Sequence, residues 1–180
     1  MKTFALVAAL AAALPVAAFA QDTAPDGSKA FGFEPYIGVL GGYNSFDRDS
    51  KFGRKAEGAL VDAIAGVNVP LGPLFAGVEG NVGKGFNDLN WEYGVKGRGG
   101  FRAGASGLLF LSAGYQWTDG RSSRGFGKQH GWVYGGGVEL GPKDIGLSGV
   151  VNEAGPRLRL QVDTQDMKNL RPMAGVLFHF

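Results

Sequence analysis

The sequence contains no cysteine and only two histidines among its 180 residues. A disulfide scaffold, a thiol nucleophile and a Cys/His zinc cluster are therefore excluded. Any metal would have to rest on carboxylates, and Asp47-Arg48-Asp49 is too charge-balanced to make such a site. No metal and no cofactor is expected. Beyond residue 20 there is no apolar run approaching the ~20 residues that a membrane-spanning helix needs. Charge of one sign is missing as well. The formal net charge of +2 includes Lys2, and residues 21–180 carry 17 basic against 16 acidic side chains, so nothing marks a nucleic-acid binder.

What the chain has in abundance is glycine. All 32 glycines fall in the last 160 residues, one in five against the usual ~7%. That density disfavours helices. The glycines have no period of three and 44% of residues are apolar, which excludes a collagen-like or disordered chain. One compact domain is expected.

Lys2 precedes an apolar run from Phe4 to Leu14, Pro15 interrupts it, and Ala18-Phe19-Ala20 places small residues where a signal peptidase reads. Residues 1–20 are expected to be a signal peptide cleaved before Gln21, because the run is too short for a spanning anchor. Residues 21–32 read as a flexible lead-in, and residues 33–180 as the folded domain.

From Phe33 onward the chain falls into segments of about ten residues in which alternate side chains are apolar or small, the periodicity of strands. Eight are expected: Phe33 to Tyr43, Ala59 to Val69, Leu74 to Lys84, Trp91 to Arg102, Leu108 to Trp117, Gly131 to Leu140, Ile145 to Asn152, and Leu170 to Phe180. Their connections alternate. Residues 69–73, 103–106 and 141–144 read as tight turns, whereas 44–58, 85–90, 118–130 and 153–169 read as longer polar loops. Short turns at one end and long loops at the other are the asymmetry of outer-membrane barrels. The fold class predicted is all-β, an eight-stranded antiparallel up-and-down transmembrane β-barrel.

Each strand separates an uncharged face from a face that carries the charge. Val61, Ala63, Ala65 and Val67 oppose Leu60, Asp62, Ile64 and Gly66. Tyr93, Val95, Gly97 and Gly99 oppose Gly94, Lys96, Arg98 and Gly100. A soluble sandwich or barrel would wet the charged face, so the alternation alone does not orient the sheet. Three features turn the uncharged face toward lipid. The mature chain is exported and its apolar face has no partner layer. Tyr43, Trp91, Tyr93, Tyr115, Trp117, Trp132 and Tyr134 gather at the loop ends of their strands, as an outer aromatic girdle does. The last strand ends on an aromatic, and a sheet in hydrocarbon must close on itself, so strand eight is expected beside strand one.

Eight strands enclose a space that side chains fill. Tyr36, Leu40, Ile64, Phe75 and Phe110 are the apolar candidates. The polar network expected there is Asp62, Glu79, Lys96, Arg98, Gln116, Glu139 and Arg171. Glu79 and Lys96 should lie opposite one another across strands three and four, where an ion pair would compensate enclosed charge. Glycines on this face let a narrow barrel close around bulky residues; Gly97, Gly99 and Gly136 on the other face have no such reason. The stretch Arg157-Leu158-Arg159-Leu160-Gln161-Val162-Asp163 fits worst, since it alternates like a ninth strand with its parity switched across Ala154-Gly155-Pro156. The preferred reading is a bulge at Gly155-Pro156, with the later residues a ribbon extending strand seven. The second choice makes residues 157–163 the membrane part of strand seven.

Residues 33–43 (Phe-Glu-Pro-Tyr-Ile-Gly-Val-Leu-Gly-Gly-Tyr), residues 92–101 (Glu-Tyr-Gly-Val-Lys-Gly-Arg-Gly-Gly-Phe), Ser112-Ala113-Gly114-Tyr115 and the terminal Phe178-His179-Phe180 resemble small Gram-negative outer-membrane β-barrel proteins of the opacity and OmpA-like porin class. The likeness spans roughly residues 31–180 and rests on pattern rather than a fixed motif. It implies location in the cell outer membrane, loops sometimes used in adhesion, and no guarantee of a pore. It also implies that the terminal strand, through Val176, Phe178 and Phe180 preceded by Ala174, is the signal read by the barrel assembly machinery. Since nothing follows Phe180, the peptidoglycan-binding domain of the longer OmpA type is not expected.

The leading functional reading is a structural barrel, monomeric and non-catalytic, that presents surface loops to outer-membrane lipids and lipopolysaccharide. Arg121, Arg124 and Lys128 are the candidate lipopolysaccharide contacts, because basic loops beside lipid phosphates gain electrostatic attraction. A narrow passive pore is the alternative. A lipid-modifying enzyme is a third, resting on Ser122 or Ser123 with His130 and Asp119 in one loop, without the preorganised contacts a nucleophilic triad needs.

Overall fold

The computed structural model describes residues 33–49, 55–86, 89–103, 107–120, 128–141, 156–167 and 169–180. The expected signal peptide and lead-in lie outside them. The described residues form eight strands and no helix: β1 (Glu34–Asp49), β2 (Lys55–Leu71), β3 (Leu74–Gly85), β4 (Leu89–Ala103), β5 (Gly107–Gly120), β6 (Lys128–Leu140), β7 (Pro156–Gln165) and β8 (Asn169–His179). Every neighbouring pair is antiparallel, and β8 pairs with β1 from Tyr36↔His179 to Phe46↔Asn169, closing the sheet into a barrel. Closure leaves no strand edge along the wall, which a sheet in hydrocarbon requires.

Period two explains which residues lie where. On β5, Leu109 and Leu111 are exposed while Phe110 is buried, and on β8 Phe178 is exposed between buried Leu177 and His179. The outer wall is apolar nearly throughout: Leu111 is 75% exposed and Val78 56%, whereas Asp62 and Glu139 are at 1% and 0%. The burial order of a soluble protein is thus inverted.

Two apolar clusters fill part of the interior. Tyr36, Leu40, Leu60, Ile64, Met173 and Leu177 pack together beneath β1, β2 and β8, and Phe75, Leu108 and Phe110 pack beneath β3–β5. Glycine makes room for them where strands bend tightly. A Cβ at Gly66 would strike the Tyr36 ring, and one at Gly114 would strike the β4 backbone at Val95 and Lys96. Gly97 on the outer wall is different, since a Cβ there would meet nothing closer than the Ala113 carbonyl oxygen at 3.8 Å.

Two expectations need correction. The membrane part of strand seven is Pro156–Gln165, the second choice above, and the preferred segment Ile145 to Asn152 lies outside the described residues. Residues of β7 pair on both sides, Leu160 with Val138 of β6 and with Ala174 of β8. Leu158, Leu160 and Val162 face out, and Arg159, Gln161 and Asp163 face in.

The loop asymmetry changes with it. The β7–β8 connection is a short turn through Asp166 and Met167, both in left-handed backbone (φ 50° and 56°), and the long connection, residues 141–155, joins β6 to β7 at the opposite end. At the loop end, β1 and β2 stay paired beyond Asn44↔Gly58 to Asp49↔Lys55, and β5 and β6 out to Asp119↔Lys128. Of the expected loops 44–58 and 118–130, residues 44–49, 55–58, 118–120 and 128–130 are thus strand. Hydrogen bonding between strands does not stop where apolar side chains do, because polar residues such as Thr118 and Gln129 pair just as well when extended.

Candidate functional site

The lumen contains two stacked clusters of ionised and polar side chains. Toward the end where the chain enters and leaves the barrel, Arg98 and Arg159 face Glu79 and Glu139. Arg98 donates to Glu139 at 2.6 Å and lies 3.5 Å from Glu79; Arg159 donates twice to Glu139, at 2.7 and 3.1 Å, and bonds Glu79 through its other terminal nitrogen. The Tyr36 hydroxyl donates to Glu79 and accepts from Arg98, both at 2.8 Å, and its ring stacks on His179, whose Nε2 lies 3.1 Å from Glu139. The two guanidiniums also lie over the rings of Tyr36 and Phe110. Two cations meet two anions in a layer roofed by aromatic faces, as compensation of buried charge demands.

Nearer the loop end, Lys96 bonds Asp163 at 2.7 Å. Arg171 bonds Glu92 at 2.7 Å, Asp163 at 3.2 Å and Gln116 at 3.3 Å. Asn81 donates to Asp62 at 3.3 Å. Asp62, Glu79, Lys96, Arg98, Gln116, Glu139 and Arg171 are all buried within these clusters.

Glu79 and Lys96 do lie opposite one another across β3 and β4. Their expected ion pair is replaced by contacts across the lumen, Lys96 to Asp163 and Glu79 to Arg159, with Arg98 of the neighbouring strand 3.5 Å from Glu79. On a closed wall neighbouring inward side chains both point at the axis, so long ones meet the far side first. Arg159, the largest fully buried side chain among the described residues, was not among the expected residues, nor were Glu92, Gln161, Asp163 and His179. The signal for three of them was the alternation of residues 157–163, once read as membrane strand.

Outside, Trp91, Tyr93, Trp117, Trp132 and Tyr134 are exposed at the loop end of β4–β6 and Tyr115 is half-buried; Tyr43 is exposed on β1. Tyr93 stacks on Trp117 at 5.5 Å, and Tyr115 meets Trp117 and Trp132 edge-on at 4.9 and 5.8 Å. His130 bonds the Tyr115 hydroxyl, and Lys84 sits over the Trp91 ring. Val176, Phe178 and Phe180 are exposed on the outer wall. Arg121, Arg124, Ser122 and Ser123 lie outside the described residues, and of Lys128 only its backbone pairing with Asp119 is described. Among the described residues no group of three or more His, Asp or Glu side chains is placed to hold a metal.

No family model matches the chain, and no curated protein matches it. Solved structures do. A chain from a de novo design of transmembrane β-barrels aligns with 84% of this chain and 98% of its own, at TM-score 0.51 and 13% identity. The attachment invasion locus protein Ail of Yersinia pestis aligns with 84% of this chain and 100% of its own, at TM-score 0.52 and 14% identity. Neisserial surface protein A covers 82% and 97%, at TM-score 0.46 and 12% identity. The chain is an eight-stranded transmembrane β-barrel. Identity this low speaks for the fold alone, and the inverted burial of the barrel gives the same result independently: ionised side chains enclosed, apolar ones presented to hydrocarbon.

Proposed function

We propose that the barrel is exported after loss of residues 1–20, sits in the cell outer membrane as a monomer, and acts by presenting its loop-end surface to lipid, lipopolysaccharide or a host surface. Catalysis and solute transport are not part of this reading. The observation that carries it is the filled lumen. Arg98, Arg159, Glu79 and Glu139, with Tyr36 and Phe110 against them, occupy the axis of a barrel that has room only for side chains. Among the described residues these lumen side chains are buried rather than open to solvent, which weighs against the narrow-pore alternative.

The aromatic cluster on β4–β6 supports a loop end lying at a membrane interface, where rings with a polar edge are stable. Arg121 and Arg124 fall in the sequence between β5 and β6, Lys128 is the first residue of β6, and these three are the proposed lipopolysaccharide contacts. The enzyme alternative gains no support from His130, which is bonded to Tyr115 on the outer wall. The adhesive reading is supported by analogy with Ail, whose name describes attachment and invasion. Val176, Phe178 and Phe180 are proposed as the assembly signal read during biogenesis.

Cell fractionation combined with heat-modifiable gel mobility tests location and closure together. The protein is expected in the outer-membrane fraction, migrating as a compact form that boiling converts to a slower one. In planar bilayers no reproducible unitary openings are expected; stable openings would favour the pore. Replacing Arg121, Arg124 and Lys128 with Ser is expected to weaken retention on immobilised lipopolysaccharide, and unchanged retention would remove that contact.

A further inference from the structure

The two lumen clusters differ in charge balance. In the first, Arg98 and Arg159 match Glu79 and Glu139, and His179 bonds Glu139 there. In the loop-end cluster Lys96 and Arg171 face three carboxylates, Asp62, Glu92 and Asp163. Both cations are engaged with Asp163 and Glu92. Asp62 makes no ion pair among the described residues; the Asn81 amide donates to its Oδ2 at 3.3 Å, and no hydrogen-bond donor reaches Oδ1. Asp62 is nevertheless 1% exposed and Glu92 2%.

The register places the two acids against each other. Asp62 of β2 pairs with Gly83 of β3, and Gly83 pairs with Glu92 of β4, so both side chains stand on one rung with only a glycine between them. Both lean into the space above that glycine. A Cβ at Gly83 would clash with Asp62 Oδ1 and would lie 2.9 Å from Glu92 Cγ. The charged groups around Asp62 are Glu92 and Lys96 from β4 and Arg171 from β8; the facing group from β3 is the Asn81 amide, whose Oδ1 is also unpartnered. Two like charges enclosed at contact range are held only if a positive charge lies between them.

We propose that Asp62 and Glu92 hold one exchangeable monovalent positive charge between them, a hydron or an alkali cation, in the loop-end half of the lumen. Either would bring the cluster to neutrality and give Asp62 Oδ1 its missing partner.

The experiment uses the mature chain refolded in detergent micelles, with Asp62→Asn and Glu92→Gln as variants that remove the surplus charge from either side. If the charge is a hydron, the infrared spectrum at neutral pH contains a carboxylic-acid carbonyl band that Asp62→Asn abolishes. If it is an alkali cation, that band is absent. The urea midpoint of the wild type then shifts when sodium or potassium is exchanged for tetramethylammonium at equal ionic strength, and the midpoints of the variants do not. A wild type with neither the band nor any dependence on cation identity overturns the proposal, and this result needs no variant to fold.

Discussion

Replacing Arg159 with Met removes the side chain that holds Glu79 and Glu139 together most closely, with two bonds to Glu139 and one to Glu79. Arg98 remains, but it reaches Glu139 at 2.6 Å and Glu79 only at 3.5 Å, so Glu79 is left with the Tyr36 hydroxyl as its sole close donor. Glu79 and Arg159 are 5% and 0% exposed, so water is not at hand to replace the lost bond. Removing one partner of a buried pair costs about 3–5 kcal/mol. Arg159→Met is accordingly expected to lower the folding free energy by about that amount. The assay is equilibrium urea titration of refolding into detergent micelles or liposomes, followed by tryptophan fluorescence and gel mobility. Adding Glu139→Gln leaves one arginine facing one glutamate, and the double variant should regain about half or more of the loss. Leu158→Met, one residue away on the outer wall, should stay within ~0.5 kcal/mol of wild type. An Arg159→Met barrel as stable as wild type would refute the claim that this layer is a mutually dependent network.

Gly114→Val should prevent closure, because its Cβ would enter the β4 backbone, and the compact unboiled gel form should be lost; Gly97→Ala should retain it, since the nearest atom is 3.8 Å away. Val78→Arg on the outer wall is expected to cost about 2–4 kcal/mol in a bilayer, measured by the same urea titration, as a charge at the hydrocarbon midplane does. Combining Arg98→Ala with Arg159→Ala removes both guanidiniums from the axis and should produce unitary conductance in planar bilayers where the parent shows none.

The sheet was legible in the sequence because one side of each strand meets hydrocarbon and the other does not. That contrast writes itself as alternation, as in Tyr93-Gly94-Val95-Lys96-Gly97-Arg98, and it places the two sets of side chains on opposite faces of the wall. Strand seven was harder for a physical reason: alternation reports which residues share a face, not how many intervene before the next wall strand begins. Residues 145–152 and 157–163 both alternate, and only pairing with β6 and β8 distinguishes the latter. The choice of ion-pair partners was hidden as well. Opposition of Glu79 and Lys96 is a property of neighbouring strands, whereas the contacts of Arg159 with Glu79 and of Lys96 with Asp163 cross the lumen between residues 80 and 67 positions apart. The ribbons beyond Tyr43 and Trp117 carry no signature in the sequence, because polar residues pair through their backbones without leaving an apolar period behind.

The orientation of the wall is tested most directly by methyl NMR of the barrel in lipid nanodiscs containing a chain-labelled nitroxide lipid. Signals from Val78, Leu111 and Leu160 should broaden strongly, while those of Ile64, Leu108 and Leu177 stay sharp. Broadening of the second set with sparing of the first, or quenching of the first set by a water-soluble paramagnetic chelate, would contradict a barrel that turns its apolar face to lipid.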